Sequence, residues 1–210
     1  MTPTDTAERT HRWNWPNAIT VGRLLLLIPF LVCLVRVHDG ADWVRHSALV
    51  LLVILSASGV LDGYLARRLR QATASGRILD PLADKLLTLG SLFVLAIDPL
   101  SQPGFAVPNW VPTVALSKDL LTIGGVAWIK WKTGRNVARP RILGKACTAL
   151  QLILIGLVLI APDVDGAIPA MDGVVQAGCW IVTLCAAAAW VDYAVAGQRA
   201  LGDGDNVHAD

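Results

Sequence analysis

The sequence predicts an all-α integral membrane protein with six transmembrane helices and both termini in the cytoplasm. Three observations carry the prediction. Of the 210 residues, 54% are hydrophobic and 16% charged, where a soluble domain of this length carries about a quarter charged. The apolar residues fall in six runs, each close to the roughly 20 residues that cross a bilayer core of ~30 Å. The lysines and arginines then gather on one side of those runs.

Residues 1–15 are a polar, cytoplasmic tail. Trp13 and Trp15 stand where interfacial aromatics anchor a membrane helix, and Pro16 suits a first helical turn, which has no use for its missing N–H. The first span covers 18–37. It is too long for the apolar region of a signal peptide and no clear small-residue cleavage site follows it, so it reads as a retained span. Five more spans lie near 44–66, 82–98, 108–131, 145–162 and 172–197, with Pro103, Gly104, Pro108 and Pro112 punctuating the approach to the fourth. The six spans make one domain over 16–200, and 201–210 reads as a disordered tail. Cys33, Cys147, Cys179 and Cys185 lie in or beside apolar runs without the close Cys/His spacing of a zinc site. They read as small packing residues.

With the N-terminus inside, the inner segments hold Arg9, Arg12, Arg67, Arg68, Arg70, Arg77, Lys130, Lys132, Arg135, Arg139, Arg141, Lys145 and Arg199. The outer connections hold Arg36 and Arg45 and no further base. This asymmetry sets both termini, and the charged segment between the second and third spans, in the cytoplasm.

That segment is Leu61-Asp62-Gly63-Tyr64-Leu65-Ala66-Arg67-Arg68, followed by Gly76-Arg77-Ile78-Leu79-Asp80-Pro81-Leu82-Ala83-Asp84-Lys85. Unpaired charge at the edge of hydrocarbon is expensive and calls for neutralisation or function. On a helix Asp80 and Asp84 share a face as i and i+4. Like charges so placed repel, which points to a cation between them, and a hard divalent ion such as Mg²⁺ or Mn²⁺ takes carboxylate and phosphate oxygens. Gly63 permits close backbone approach and Arg67 can pair with phosphate bidentately. The set reads as a metal-assisted site for a phosphate-bearing ligand. Singly, each residue has an ordinary structural account: Asp80 before Pro81 as a helix N-cap, Asp84 and Lys85 as a first-turn acid and a snorkelling base, Asp62 and Arg67 as an ion pair. Arg23, inside an apolar span, is a functional candidate by default.

Asp62-Gly63, Ala66-Arg67, Gly76, Asp80 and Asp84 fall on the spacing D-x2-D-G-x2-A-R-x8-G-x3-D-x3-D without insertion, and the chain resembles the CDP-alcohol phosphotransferase family that carries this signature. Gly59 stands where the signature has its first aspartate, a residue that in the family helps to bridge two metal ions. Pro16-Asn17-Ala18-Ile19-Thr20-Val21-Gly22-Arg23 looks like the family's P-N-x-(I/L)-T-x2-R opening. Gly144-Lys145-Ala146-Cys147-Thr148-Ala149-Leu150-Gln151 is similar to the G-K-x2-T-x2-Q of the phosphatidylglycerophosphate synthase and eukaryotic-type cardiolipin synthase branches. Ser117-Lys118-Asp119 stands where those branches often carry S-R-(D/E).

The resemblance implies six transmembrane helices, a homodimer, and transfer of a phosphatidyl group from CDP-diacylglycerol to an alcohol with release of CMP. It assigns Asp62, Asp80 and Asp84 to a Mg²⁺ or Mn²⁺ ion, Asp84 also to general base, and Asn17, Thr20, Gly63, Arg67 and Thr73 to the CDP-lipid. The basic inner segment implies a small anionic alcohol or lipid acceptor held by Lys118, Arg139 and Lys145, with glycerol 3-phosphate before phosphatidylglycerol. The implied setting is a bacterial inner membrane or an organelle membrane, among membrane lipids, with the site toward the cytoplasm and no nucleic-acid partner. Gly59 carries the competing reading of a weakened homologue that binds CDP-lipid or serves as a membrane partner protein.

Overall fold

A computed structural model describes the backbone of residues 15–69, 76–133, 142–168 and 170–205, and side chains over 21–61, 81–98, 100–125, 127–128, 131, 143–168 and 170–195. Among the described residues six α-helices run in order: α1 Trp15–Val35, α2 Asp42–Leu69, α3 Gly76–Ala96, α4 Trp110–Thr133, α5 Ile142–Val164 and α6 Met171–Asp205. Each overlaps one of the six apolar runs. Among the described residues there is no strand, and the connections between helices include two short 3-10 turns, Val37–Asp39 and Asp98–Leu100. Gly40 closes the first of them at φ 73°, its N–H donating to the carbonyl of Val37; the left-handed conformation suits a residue without Cβ.

The helices pack as a ring, α1 on α2, α2 on α5, α5 on α6, α6 on α4, α4 on α3 and α3 back on α1, with α3 also touching α5 across the middle. The core is aliphatic: Phe30 and Leu34 from α1, Leu52 and Leu55 from α2, Leu87, Leu92 and Leu95 from α3, Leu154, Ile155 and Leu159 from α5, and Val175 and Val182 from α6. These positions recur at helical spacing, so each helix turns one stripe inward. The outward stripes are also apolar, with Leu25, Ile28, Val50, Val53, Ile153, Leu184 and Val191 exposed. A helix apolar on every side belongs in a large core or in lipid.

Among the described residues four stretches are long and apolar enough to cross a membrane: Val21–Asp39, Asp42–Leu61, Leu143–Val164 and Met171–Val195. The helices outside that set, α3 and α4, carry Asp84 with Lys85 and Lys118 with Asp119. Two of the sequence readings meet a different backbone. α3 begins at Gly76, so Asp80 lies inside the helix and is not its N-cap. α6 continues to Asp205, into the segment read as a tail, while 206–210 and 1–14 lie outside the described residues.

At one end of the bundle Arg45, 4% exposed, ties α2 to α5. Its guanidinium donates to the Leu159 carbonyl at 3.1 Å, to Asp42 Oδ1 at 2.8 Å and to Asp163 Oδ1 at 2.5 Å. His46 Nε2 reaches Asp163 Oδ2 at 3.1 Å. A buried guanidinium with three acceptors is compensated, which makes this cluster a structural clamp.

Candidate active site

The opposite end of the bundle opens into a cleft of about 830 Å³ to which all six helices contribute. Its walls come from the inward stripe of each helix near that end. Arg23 stands on α1, Ser56, Gly59 and Val60 on α2, Pro81, Asp84 and Lys85 on α3, Lys118, Asp119 and Thr122 on α4, Lys145 and Thr148 on α5, and Tyr193 on α6. Gly144 sets the α5–α6 approach: a Cβ there would lie 3.2 Å from the Tyr193 hydroxyl. Of the described lining residues four are basic, Arg23, Lys85, Lys118 and Lys145, against two acidic, Asp84 and Asp119. An excess of positive charge in a concave site favours an anionic ligand.

Two ionic arrangements organise the cleft. In the first, the Arg23 Nη2 group donates to Asp84 Oδ1 at 3.4 Å, with Arg23 6% exposed and the Asp84 side chain 34% exposed. In the second, Asp119 bridges two helices: Lys118 Nζ sits 3.0 Å from its Oδ1 and Lys85 Nζ 2.7 Å from its Oδ2. Lys118 and Asp119 are both buried, so each neutralises a charge that would be costly alone. Lys145 makes no ion pair among the described residues.

Of the residues expected from sequence, the cleft brings together Asp84, Lys118 and Lys145. Asp62, Gly63 and Arg67 lie on α2, Asp80 lies four residues before Asp84 on α3, and Asn17 and Thr20 lie in the first turns of α1. The side chains of these residues are outside the described set. Thr73 and Arg139 lie wholly outside the described residues. Sequence reasoning missed the pairing of Lys85 with Asp119; Lys85 reads as a snorkelling base and nothing local points to α4. It also left Thr122 and Tyr193 without a role.

Of the three carboxylates that the signature spacing offers to a metal, only Asp84 has a described side chain, and it lines the cleft. Among the described residues no three or more His, Cys, Asp or Glu converge. The first signature position is Gly59, and the space its side chain would take is filled: a Cβ there would stand 2.6 Å from Arg23 Nη2 and 2.8 Å from Cζ. A guanidinium therefore lies where a further carboxylate ligand would project.

The family model for CDP-alcohol phosphatidyltransferase matches residues 13–194. A CDP-diacylglycerol--glycerol-3-phosphate 3-phosphatidyltransferase of Aquifex aeolicus is 34% identical over 89% of this chain and 97% of its own length. The Bacillus subtilis protein of the same name is 33% identical over 70% of this chain and 77% of its own. A CMP-forming cardiolipin synthase of Streptomyces coelicolor is 29% identical over 83% of this chain and 72% of its own. This chain belongs to the CDP-alcohol phosphatidyltransferase family, and it is an enzyme of that type.

Proposed function

We propose that the enzyme transfers the phosphatidyl group of CDP-diacylglycerol to the hydroxyl of glycerol 3-phosphate, releasing CMP, in phospholipid biosynthesis. The observation that carries this reading is the cleft itself, which Asp84 lines together with the bases Arg23, Lys118 and Lys145. An acceptor that brings its own phosphate calls for such a basic lining; a neutral alcohol does not. The names of the Aquifex and Bacillus relatives support the same acceptor, and favour an active enzyme over a weakened homologue. Phosphatidylglycerol is the second choice, supported by the cardiolipin synthase similarity.

In this reading the acceptor oxygen attacks the phosphatidyl phosphorus, the bond from that phosphorus to the bridging oxygen of CMP breaks, and Asp84 takes the acceptor's proton. Lys145, Lys118 and Arg139 hold the acceptor phosphate. Asn17, Thr20, Gly63, Arg67 and Thr73 hold the CDP portion. A Mg²⁺ or Mn²⁺ ion, which carboxylates Asp62, Asp80 and Asp84 suit, supplies charge neutralisation at the pyrophosphate. Arg23 restrains Asp84 and adds fixed positive charge beside it. The exposed apolar stripes and the inside bias of lysine and arginine support six membrane spans, both termini and the cleft toward the cytoplasm, and lateral entry of the acyl chains. A homodimer in a bacterial inner membrane or an organelle membrane completes the proposal.

The acceptor is tested with protein reconstituted in vesicles containing labelled CDP-diacylglycerol, Mg²⁺ and a panel of alcohols. Release of CMP is expected with glycerol 3-phosphate. Release with phosphatidylglycerol alone moves the assignment to the second choice, and no release with any alcohol, together with activity in Gly59→Asp, overturns the reading.

A further inference from the structure

We infer that Gly59 and Arg23 form a coupled pair, in which the glycine makes room for a guanidinium that serves as a resident cation beside Asp84, so that the cleft works with a single divalent ion. This rests on the proposed transfer from CDP-diacylglycerol and adds a role for two residues of this chain.

Gly59 lies inside α2, where glycine is unfavourable because it orders poorly and packs nothing. Its use there needs a reason, and the contacts supply one. A Cβ on residue 59 would fall 2.6, 2.8 and 2.9 Å from Nη2, Cζ and Nη1 of Arg23, so the guanidinium, the far end of a flexible side chain, would have to shift from its place beside Asp84. The guanidinium thus lies flat against the open flank of the helix. It is 6% exposed, and its Nη2 is 3.4 Å from Asp84 Oδ1. Its Nε is buried with no hydrogen-bond partner among the described residues. A guanidinium keeps its charge under all ordinary conditions, and among the described residues Arg23 has one long contact, to Asp84, and donors left for an oxyanion. A carboxylate at position 59 would be drawn into an ion pair with Arg23 or would need a cation of its own. The glycine removes both demands and leaves one fixed positive charge at the place. Arg23 is a positioning residue: it acts through Asp84 and through the field it adds.

A resident cation repels a divalent ion while it helps an anionic substrate, so its removal moves two readouts in opposite directions. The experiment counts Mn²⁺ by electron paramagnetic resonance on full-length protein in lipid nanodiscs with CDP-diacylglycerol, and measures CMP release on the same preparations. Wild type is expected to hold about one Mn²⁺ per chain in an oxygen-ligand site. Arg23→Met is expected to bind Mn²⁺ about ten-fold more tightly, as like-charge repulsion across a few ångströms is lifted, and to release CMP at least about ten-fold more slowly. Arg23→Lys, which keeps the charge, restores wild-type Mn²⁺ affinity, and decides the matter if Arg23→Met does not fold. The double variant Gly59→Asp with Arg23→Met gains a second ion. Two ions in the wild type, or Mn²⁺ affinity that is unchanged or weaker in folded Arg23→Met, overturns the inference. CMP release alongside two ions leaves the proposed reaction standing and sinks only the coupled pair. Absence of both CMP release and Mn²⁺ binding in the wild type removes the reaction and the pair together.

Discussion

Lys85 of α3 reaches Asp119 of α4 at 2.7 Å while the neighbouring Lys118 holds the other oxygen of the same carboxylate at 3.0 Å. One acid therefore fixes two bases on two helices, and one of those bases is 3% exposed. The arrangement leaves a net positive charge in the wall of the cleft without leaving a buried charge unpaired.

Removing the acid strands the buried base. Asp119→Asn is expected to lower stability by about 3 kcal/mol, since breaking a buried pair leaves its partner desolvated. The further change Lys118→Met should recover most of the loss in thermal unfolding in detergent, though not the activity. Equal melting of wild type and Asp119→Asn would show that the bridge holds nothing together.

Lys145 lines the cleft, has no ionic partner among the described residues, and in the proposed reading holds the acceptor phosphate. Lys145→Ala is expected to raise KM for glycerol 3-phosphate about ten-fold, about the worth of one charge-assisted contact, with KM for CDP-diacylglycerol little changed. Initial rates with each substrate varied in turn check this. An effect confined to CDP-diacylglycerol would move Lys145 to the nucleotide side.

Arg45 tests the reverse case, stability without activity. It lies about 20 Å along α2 from Gly59, by the rise of a helix over the intervening residues, and it serves only to join α2 to Asp163 and the Leu159 carbonyl. Arg45→Met is expected to cost about 2–4 kcal/mol and to leave kcat near wild type at a temperature where the variant is folded. A selective loss of kcat without a fall in melting temperature would tie this end of the bundle to the chemistry.

Much of the architecture is legible in the sequence because the described helices are apolar on their outward stripes as well as toward the core. The six runs therefore each overlap one of the described helices, although α6 runs on to Asp205. The start of α3 is not legible: Asp80-Pro81 has the chemistry of a helix start, but the helix begins at Gly76 and takes the proline in its interior. Within the site, spacing inside one helix is readable and pairing between helices is not. Asp80 and Asp84 stand four residues apart on α3, and the described one of the two, Asp84, lines the cleft. Arg23 with Asp84, and Lys85 with Asp119, join residues far apart in the chain, and no local pattern encodes which base meets which acid. The effect of Gly59 is the hardest to read, because a glycine states only that a side chain is missing; the guanidinium that fills the space lies on another helix.

The account turns on Asp84, the acid that Arg23 restrains. The most direct measurement follows a label on the phosphatidyl phosphorus of CDP-diacylglycerol in vesicles holding wild type or Asp84→Asn, with glycerol 3-phosphate and Mg²⁺. Wild type is predicted to move the label into a new phosphoglycerolipid with matching release of CMP. Asp84→Asn, folded by its melting curve, is predicted to be slower by at least about a hundred-fold, the low end for loss of a general base. Equal transfer by wild type and Asp84→Asn, or label that stays in CDP-diacylglycerol with the wild type, contradicts it.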